Sequence, residues 1–228
     1  VTAITTGVGM YRSHSSVIGQ HLWAQLCDLA PLHVRPARSV LLRQGDRGTH
    51  VVLLASGSVL ITVAGAQGEQ TLLSVRGSGE ILGELAVLDN QPRTASVTAA
   101  EVCRVHVVPA SAFLSFTNSN KLLGPLLRHA IARVREAEAV RLEMATAPVP
   151  VRLASTLGRL LQAASAPGTH HVLRLTQTEL SQMIGASRNA VGSALRPWRV
   201  QGWLDTEASG GLVIRDIASI QTHANTRE

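Results

Sequence analysis

Gly79-Glu80-Ile81-Leu82-Gly83-Glu84-Leu85-Ala86-Val87-Leu88-Asp89-Asn90-Gln91-Pro92-Arg93-Thr94-Ala95-Ser96-Val97-Thr98-Ala99 is the run around which the rest of the chain is organised. Gly79 and Gly83 permit tight turns and leave room for a ligand beside the main chain. Glu84 to Leu88 is a short helical run, and the free N–H groups at its start suit an anion. Arg93 follows in the setting Pro92-Arg93-Thr94-Ala95. Its planar guanidinium matches a phosphate, and Thr94 adds a hydroxyl and a backbone N–H. Glu84 has no base partner beside it, so it reads as an acceptor for a sugar hydroxyl. Together these residues describe a site for a small anion that carries a ribose. The plainer alternative is a helical turn and strand in which Glu84 and Arg93 form a salt bridge.

Upstream the chain is a series of short β-type runs: Leu32–Arg35, Ser39–Leu42, His50–Leu54, Ser58–Val63 and Gln70–Val75. Turn signals at Gly45-Asp46, Ser56-Gly57, Gly65 with Gly68, and Gly77 separate them, and the pattern resumes from Val97 to Val108. Short strands at regular spacing predict a small antiparallel barrel or jelly roll. The Gly79–Ala99 stretch resembles the phosphate-binding cassette of cyclic-nucleotide-binding domains in Gly83, Glu84, Leu85, Ala86, Pro92, Arg93, Thr94 and Ala95. The resemblance extends over residues 30 to 110, with turns at Gly45 and Gly57. It implies that Glu84 holds the ribose 2′-OH and Arg93 the cyclic phosphate, with Gly83, Leu85, Ala86 and Thr94 completing the site. Ahead of the strands, residues 1–20 are small and polar and are expected to be mostly without order. Leu22, Trp23, Leu26 and Leu29 fall at helical spacing.

After Pro109 the texture turns helical. Gly124-Pro125 is expected to open a long helix. Leu123, Leu127, Ala130, Val134, Ala137, Arg141 and Met144 recur along it at spacings of four and three, the seam of a two-helix coiled contact. Leu126 and Ile131 lie off the seam and are assigned to packing on the barrel. Ala147-Pro148-Val149-Pro150 reads as a hinge, Arg152 to Ala164 as an amphipathic helix closed by Ala166-Pro167-Gly168, and His171 to Leu175 as a strand. Thr176-Gln177-Thr178-Glu179 is a capping box opening a short helix that breaks at Gly185, and Ser187 caps the next. Two short helices joined by a tight glycine turn read as helix-turn-helix, with Val191 and Leu195 facing the core. Ser209-Gly210-Gly211 and Leu212-Val213-Ile214 then supply a wing. Between Thr176 and Leu204 stand three Arg and one Glu, a balance of 3 − 1 = +2.

The order of barrel, dimer helix, hinge and winged helix resembles the CRP/FNR family of bacterial transcription regulators over nearly the whole chain. The implied class is α+β: a cyclic-nucleotide-binding β jelly roll over 1–118, a dimerisation helix over 119–147 and a winged helix-turn-helix over 148–228. The resemblance implies a homodimer, cyclic AMP or another cyclic nucleotide as effector, and double-stranded DNA and RNA polymerase as partners. Thr176, Gln177, Ser187, Arg188, Asn189 and Ser193 become the DNA-contacting set. Asn189 and Ser193 replace the Glu and second Arg of the family's best-known cyclic-AMP-responsive member, so the half-site should differ. Pro197 is expected to kink or end the recognition helix early. Aligning the seam with the family's dimer helix puts Arg133 beside the base and sets Ala137 and Glu138 at its amino group. Two rival readings keep the same fold: a ligand-independent regulator with a vestigial cassette, and a nucleotide-binding module that recruits a protein.

Composition fits. At 228 residues, 45% hydrophobic and 16% charged, the chain has room for two folded domains. The net charge of +6 favours a polyanionic partner. Cys27 and Cys103 are too few for a Cys-rich metal or iron–sulfur site and read as buried small residues of a reducing, cytoplasmic setting. His33, His50 and His106 sit in strand runs and read as ordinary strand residues, with a haem-sensing variant of the family as the alternative. No metal, membrane segment or catalytic constellation is expected.

Overall fold

Alternation of side chains organises the first half of the chain into two antiparallel sheets. The computed structural model describes residues 12–65, 70–163, 171–173, 175–207 and 211–226. Helices α1 (His14–Ile18) and α2 (Gln20–Cys27) lead into β1 (Leu32–Arg35), β2 (Val40–Leu42), β3 (His50–Ser56), β4 (Val59–Ala64), β5 (Gln70–Arg76) and β6 (Glu80–Leu82). Helix α3 (Glu84–Leu88) intervenes before β7 (Ser96–Ala99) and β8 (Cys103–Pro109). One sheet runs β1-β8-β3-β6 and the other β2-β7-β4-β5, the jelly roll expected. Strand β3 shows why the sheets close. Its Val52 and Leu54 fill the space between sheets with Leu42, Leu82, Val97 and Val105. Val51 and Leu53, one residue out of phase, face Leu26, Phe113 and Leu126 of the helices outside.

The helical part comprises α4 (Ala110–Ser119), α5 (Leu123–Thr146) and α6 (Val149–Ala163), then β9 (His171–Leu173), α7 (Gln177–Ile184), α8 (Arg188–Val200), β10 (Leu204–Thr206), β11 (Leu212–Ile214) and α9 (Ile217–Asn225). Pro148 forces Ala147 into an extended conformation (φ −94°, ψ 145°), which ends α5. Two arginines of α6 brace this hinge. Arg159 forks onto Glu143 of α5 at 3.2 Å twice, and Arg152 donates to the carbonyls of Ile184 (2.8 Å) and Met144 (3.4 Å). The second core gathers Leu153, Leu157, Leu180, Val191, Leu195 and Trp198, and it takes in Leu60 and Leu72 of the barrel. Each such leucine contributes about 1.5–3 kcal/mol when fully buried. Helix α7 is further tied to the barrel by Gln182 donating to the Gln70 carbonyl (3.1 Å) and by Arg38 on Glu179 (3.1 Å).

Three expectations need correction. Residues 14–18 are helical, with Ser13 as N-cap, the Ser15 N–H donating to the Gly79 carbonyl (2.8 Å), and His14 and Ser15 buried. Ile131 is 44% exposed and so does not pack on the barrel, whereas Leu126 does. The recognition helix continues past Pro197 to Val200. Trp198 is 1% exposed and anchors the next position, while the Ser193 carbonyl deprived of its donor belongs to an exposed residue. Residues 1–11, Gly68, Ala166-Pro167-Gly168, Arg174 and Ser209-Gly210 lie outside the described residues.

Candidate functional site

The cassette wraps one end of a cavity of about 530 Å³. Gly83 caps α3 in the left-handed region (φ 78°), and a Cβ there would collide with the Arg93 guanidinium and lie 2.8 Å from Leu42. That contact explains the glycine better than the turn alone. Arg93 is 4% exposed and donates from Nη1 to the Gly83 carbonyl (2.6 Å) and from Nη2 to the His50 carbonyl (2.5 Å). It is therefore a strut between β3 and the cassette rather than the partner of Glu84. Two of its five N–H groups are engaged there. Burial draws the Arg93 pKa down, and the carboxylates of Glu84 and Asp46 oppose this. Burial also raises the Glu84 carboxyl above the usual range, against the opposing pull of His14.

Gly83, Glu84, Leu85, Ala86, Arg93 and Thr94 all line this cavity, and α5 adds Arg133, Glu136, Ala137 and Val140 from the opposite side. Glu138 does not join them: it is exposed, and Glu136 occupies the facing position. Glu138 lies two residues from Glu136, about 200° around the helix, and so looks away from the face that Glu136 presents to the cavity. Arg133 does face the cavity, held by Glu80 Oε1 (2.6 Å) and Glu136 Oε2 (2.8 Å). Thr156, Arg159 and Leu160 of α6 and Gln182 and Met183 of α7 close the far end.

A buried polar cluster absent from the sequence reading lies on the cavity wall. His14 Nδ1 is 2.5 Å from Glu80 Oε2, with the Ile81 N–H 3.2 Å from the same nitrogen. His129 Nε2 is 3.7 Å from Glu80 Oε2, and the two imidazoles lie against each other with centroids 3.8 Å apart and planes tilted by 44°. These residues lie far apart in the sequence, so no motif announces them. Both cysteines are free; burial pushes the Cys27 thiol up to about 11 and raises Cys103 as well, which disfavours the nucleophilic thiolate at both.

The second site is α8. Arg188, Asn189 and Ser193 are exposed on one face, and Val191 and Leu195 are fully buried on the other. Ser187 spends its hydroxyl oxygen on the Ala190 N–H (3.2 Å). Thr176 accepts from the Glu179 N–H (3.1 Å), and its own N–H donates to the Glu179 carboxylate (2.7 Å), completing the capping box. Gln177 is half-buried at the start of α7. Strands β10, β11 and β9 form the wing sheet.

A jelly roll with this cassette, a long helix and a winged helix-turn-helix define a two-domain DNA-binding regulator. Residues 33–120 match the cyclic nucleotide-binding domain family, and residues 151–222 match the Crp-like helix-turn-helix domain family. The CRP-like cAMP-activated global transcriptional regulator of Mycobacterium tuberculosis H37Rv is 30% identical over 185 residues, covering 78% of this chain and 81% of that protein. The cAMP-activated global transcriptional regulator CRP of Salmonella typhimurium is 28% identical over 170 residues, covering 72% and 80%. Among solved structures, FixK2 from Bradyrhizobium japonicum is similar with a TM-score of 0.71 at 16% identity, covering 85% and 96%. The c-di-GMP-responsive regulator CLP of Xanthomonas campestris gives 0.68 at 20% identity, covering 86% and 99%. At those identities the structures establish the fold. The chain belongs to the CRP/FNR family, whose members are transcription regulators and not enzymes. No described helix is long and apolar enough to cross a membrane.

Proposed function

We propose that the chain is a homodimeric regulator whose effector, cyclic AMP, occupies the cavity between cassette and α5. The observation that carries this reading is the convergence of Glu84, Arg93, Thr94 and Arg133 on one cavity of about 530 Å³, within the usual range for small-molecule sites. Glu84 accepts from the ribose hydroxyl. Arg93, with three N–H groups left after its two carbonyl contacts, and Thr94 hold the cyclic phosphate beside Gly83, Leu85 and Ala86. The exposed row Leu123, Leu127, Ile131 and Val134 pairs with a second copy, and two α8 helices enter successive major grooves. Residues 1–118, 119–147 and 148–228 act as sensor, dimer helix and DNA-binding unit, working with RNA polymerase in the cytoplasm.

Base selectivity follows from the same wall. Ala137 offers no polar atom, and Arg133 is already engaged by two carboxylates. Affinities for cyclic AMP and cyclic GMP should therefore lie within about tenfold, or 1.4 kcal/mol, of one another. Calorimetric titration with each nucleotide, followed by anisotropy on duplex DNA with and without it, tests the proposal. No heat with either nucleotide would favour a ligand-independent regulator, and ligand binding without DNA binding a protein-recruiting module. A preference beyond a hundredfold would mean that another group reads the base.

A further inference from the structure

We propose that His14, Glu80 and His129 form a site for one divalent transition-metal ion of the zinc type at the cavity wall. The three come from α1, β6 and α5, and each offers one ligand atom within 4.8 Å of the others. They are 3%, 2% and 5% exposed. The second observation is His129 Nε2, which is buried without a hydrogen-bond partner and stands 3.7 Å from Glu80 Oε2. An unpaired polar atom in such a place costs stability unless something satisfies it.

The donor set selects the ion. Two imidazoles and one carboxylate suit a borderline cation such as zinc, whereas magnesium and calcium take oxygen. Bonds of 2.0–2.1 Å to a tetrahedral zinc hold donor atoms about 3.3 Å apart. The His14 contact at 2.5 Å must open slightly and the His129 contact at 3.7 Å close slightly, both by side-chain rotation. Arg133 occupies the other carboxylate oxygen, Oε1, and orients Glu80 so that Oε2 faces both rings. The fourth position is open to water or an anionic oxygen in the cavity. The ion would fasten α1 and α5 to the barrel, and this site stands whether or not a nucleotide binds.

Zinc titration of the chelator-treated full-length protein against a chromophoric competitor, with no nucleotide present, decides the matter. Cobalt(II) absorption reports the coordination number. The expected result is one ion per chain, with affinity at least a hundredfold lower in His14→Ala and in His129→Gln and unchanged in the exposed His21→Ala. His129→Gln keeps a neutral amide in place of the neutral ring, and thermal melts confirm that it folds. Absence of stoichiometric zinc binding by the wild type, or undiminished affinity in both variants, would overturn the proposal.

Discussion

Arg93→Ala removes a side chain that braces the cassette and, under the proposed function, also holds the cyclic phosphate; the structure gives the size of the first effect. The guanidinium makes charge-assisted bonds to the carbonyls of Gly83 and His50 at 2.6 and 2.5 Å, in a setting 4% exposed. Bonds of this kind contribute about 1.5–3 kcal/mol each. The buried cation also bears a desolvation cost, visible in its lowered pKa, that alanine does not. The net loss should therefore sit near the lower end of the sum, about 3 kcal/mol. For a chain of this length that corresponds to a fall in Tm of about 6–12 °C. The simpler expectation, that the substitution weakens nucleotide binding while leaving the fold untouched, is thus incomplete. Circular dichroism melts measure the strut, and calorimetry well below the variant's Tm measures the phosphate contact, where a loss of at least tenfold is expected. Gly83→Ala is the companion test, because its Cβ would drive the guanidinium from the Gly83 carbonyl and strain a backbone at φ 78°. An Arg93→Ala variant melting within about 2 °C of wild type would refute the strut; an unchanged dissociation constant would refute the phosphate role.

Two further predictions concern the DNA-binding half. Arg188→Ala should cost about 1–3 kcal/mol on the specific site and much less on random duplex; equal losses in anisotropy would make Arg188 a phosphate contact. Asp216 caps α9, accepting from the Ser219 hydroxyl (2.6 Å) and N–H (2.9 Å), and these bonds lower its pKa. A depressed carboxylate stabilises the fold above its unfolded pKa of about 3.9 and loses that contribution as pH falls through the folded value. Melts of wild type and Asp216→Asn should therefore differ at neutral pH and converge in acid. A gap that persists at low pH would refute the assignment.

The cassette and the helix-turn-helix were legible because each is a contiguous run whose chemistry is local. Thr176 and Glu179 fix their helix start within four residues, and Gly83 to Thr94 bends back on itself. Apart from Arg133, which the family alignment brings to the cavity, the inward face of α5 is not legible in the sequence. Its barrel-facing positions are Leu126, His129, Arg133 and Glu136, at helical spacing but mostly polar, because His129 and Arg133 meet Glu80 and Glu136 meets Arg76. Apolar periodicity cannot reveal such a face and so offers Ile131 to the barrel, while alignment of the seam with the family's dimer helix brings Glu138, two residues from Glu136, to the cavity. The same polarity hid α1, whose His14 and Ser15 are buried in a stretch that looks like a solvated tail.

Under the proposed function, the effector acts on a helix whose far end is braced to the DNA-binding unit by Arg159 on Glu143 and by Arg152 on the carbonyls of Met144 and Ile184. A ligand shifts an equilibrium only by its differential affinity, and coupling between sites is typically about 1–3 kcal/mol. The polar ties between α7 and the barrel fall within that range. Arg38 with Glu179 is an exposed pair worth at most about 1 kcal/mol, and Gln182 on Gln70 adds about 0.5–1.5 kcal/mol. Full exposure of Leu60 and Leu72 would cost about 1.5–3 kcal/mol each and exceed it. The ligand-driven change should therefore slide α7 along β5, breaking the polar ties while the two leucines stay covered. Hydrogen exchange at the β5 amides should stay slow on saturation with nucleotide, and the Arg38→Ala variant should bind DNA with less dependence on ligand. Rapid exchange throughout β5 in the liganded protein would mean that the domains separate, and the sliding motion would be wrong.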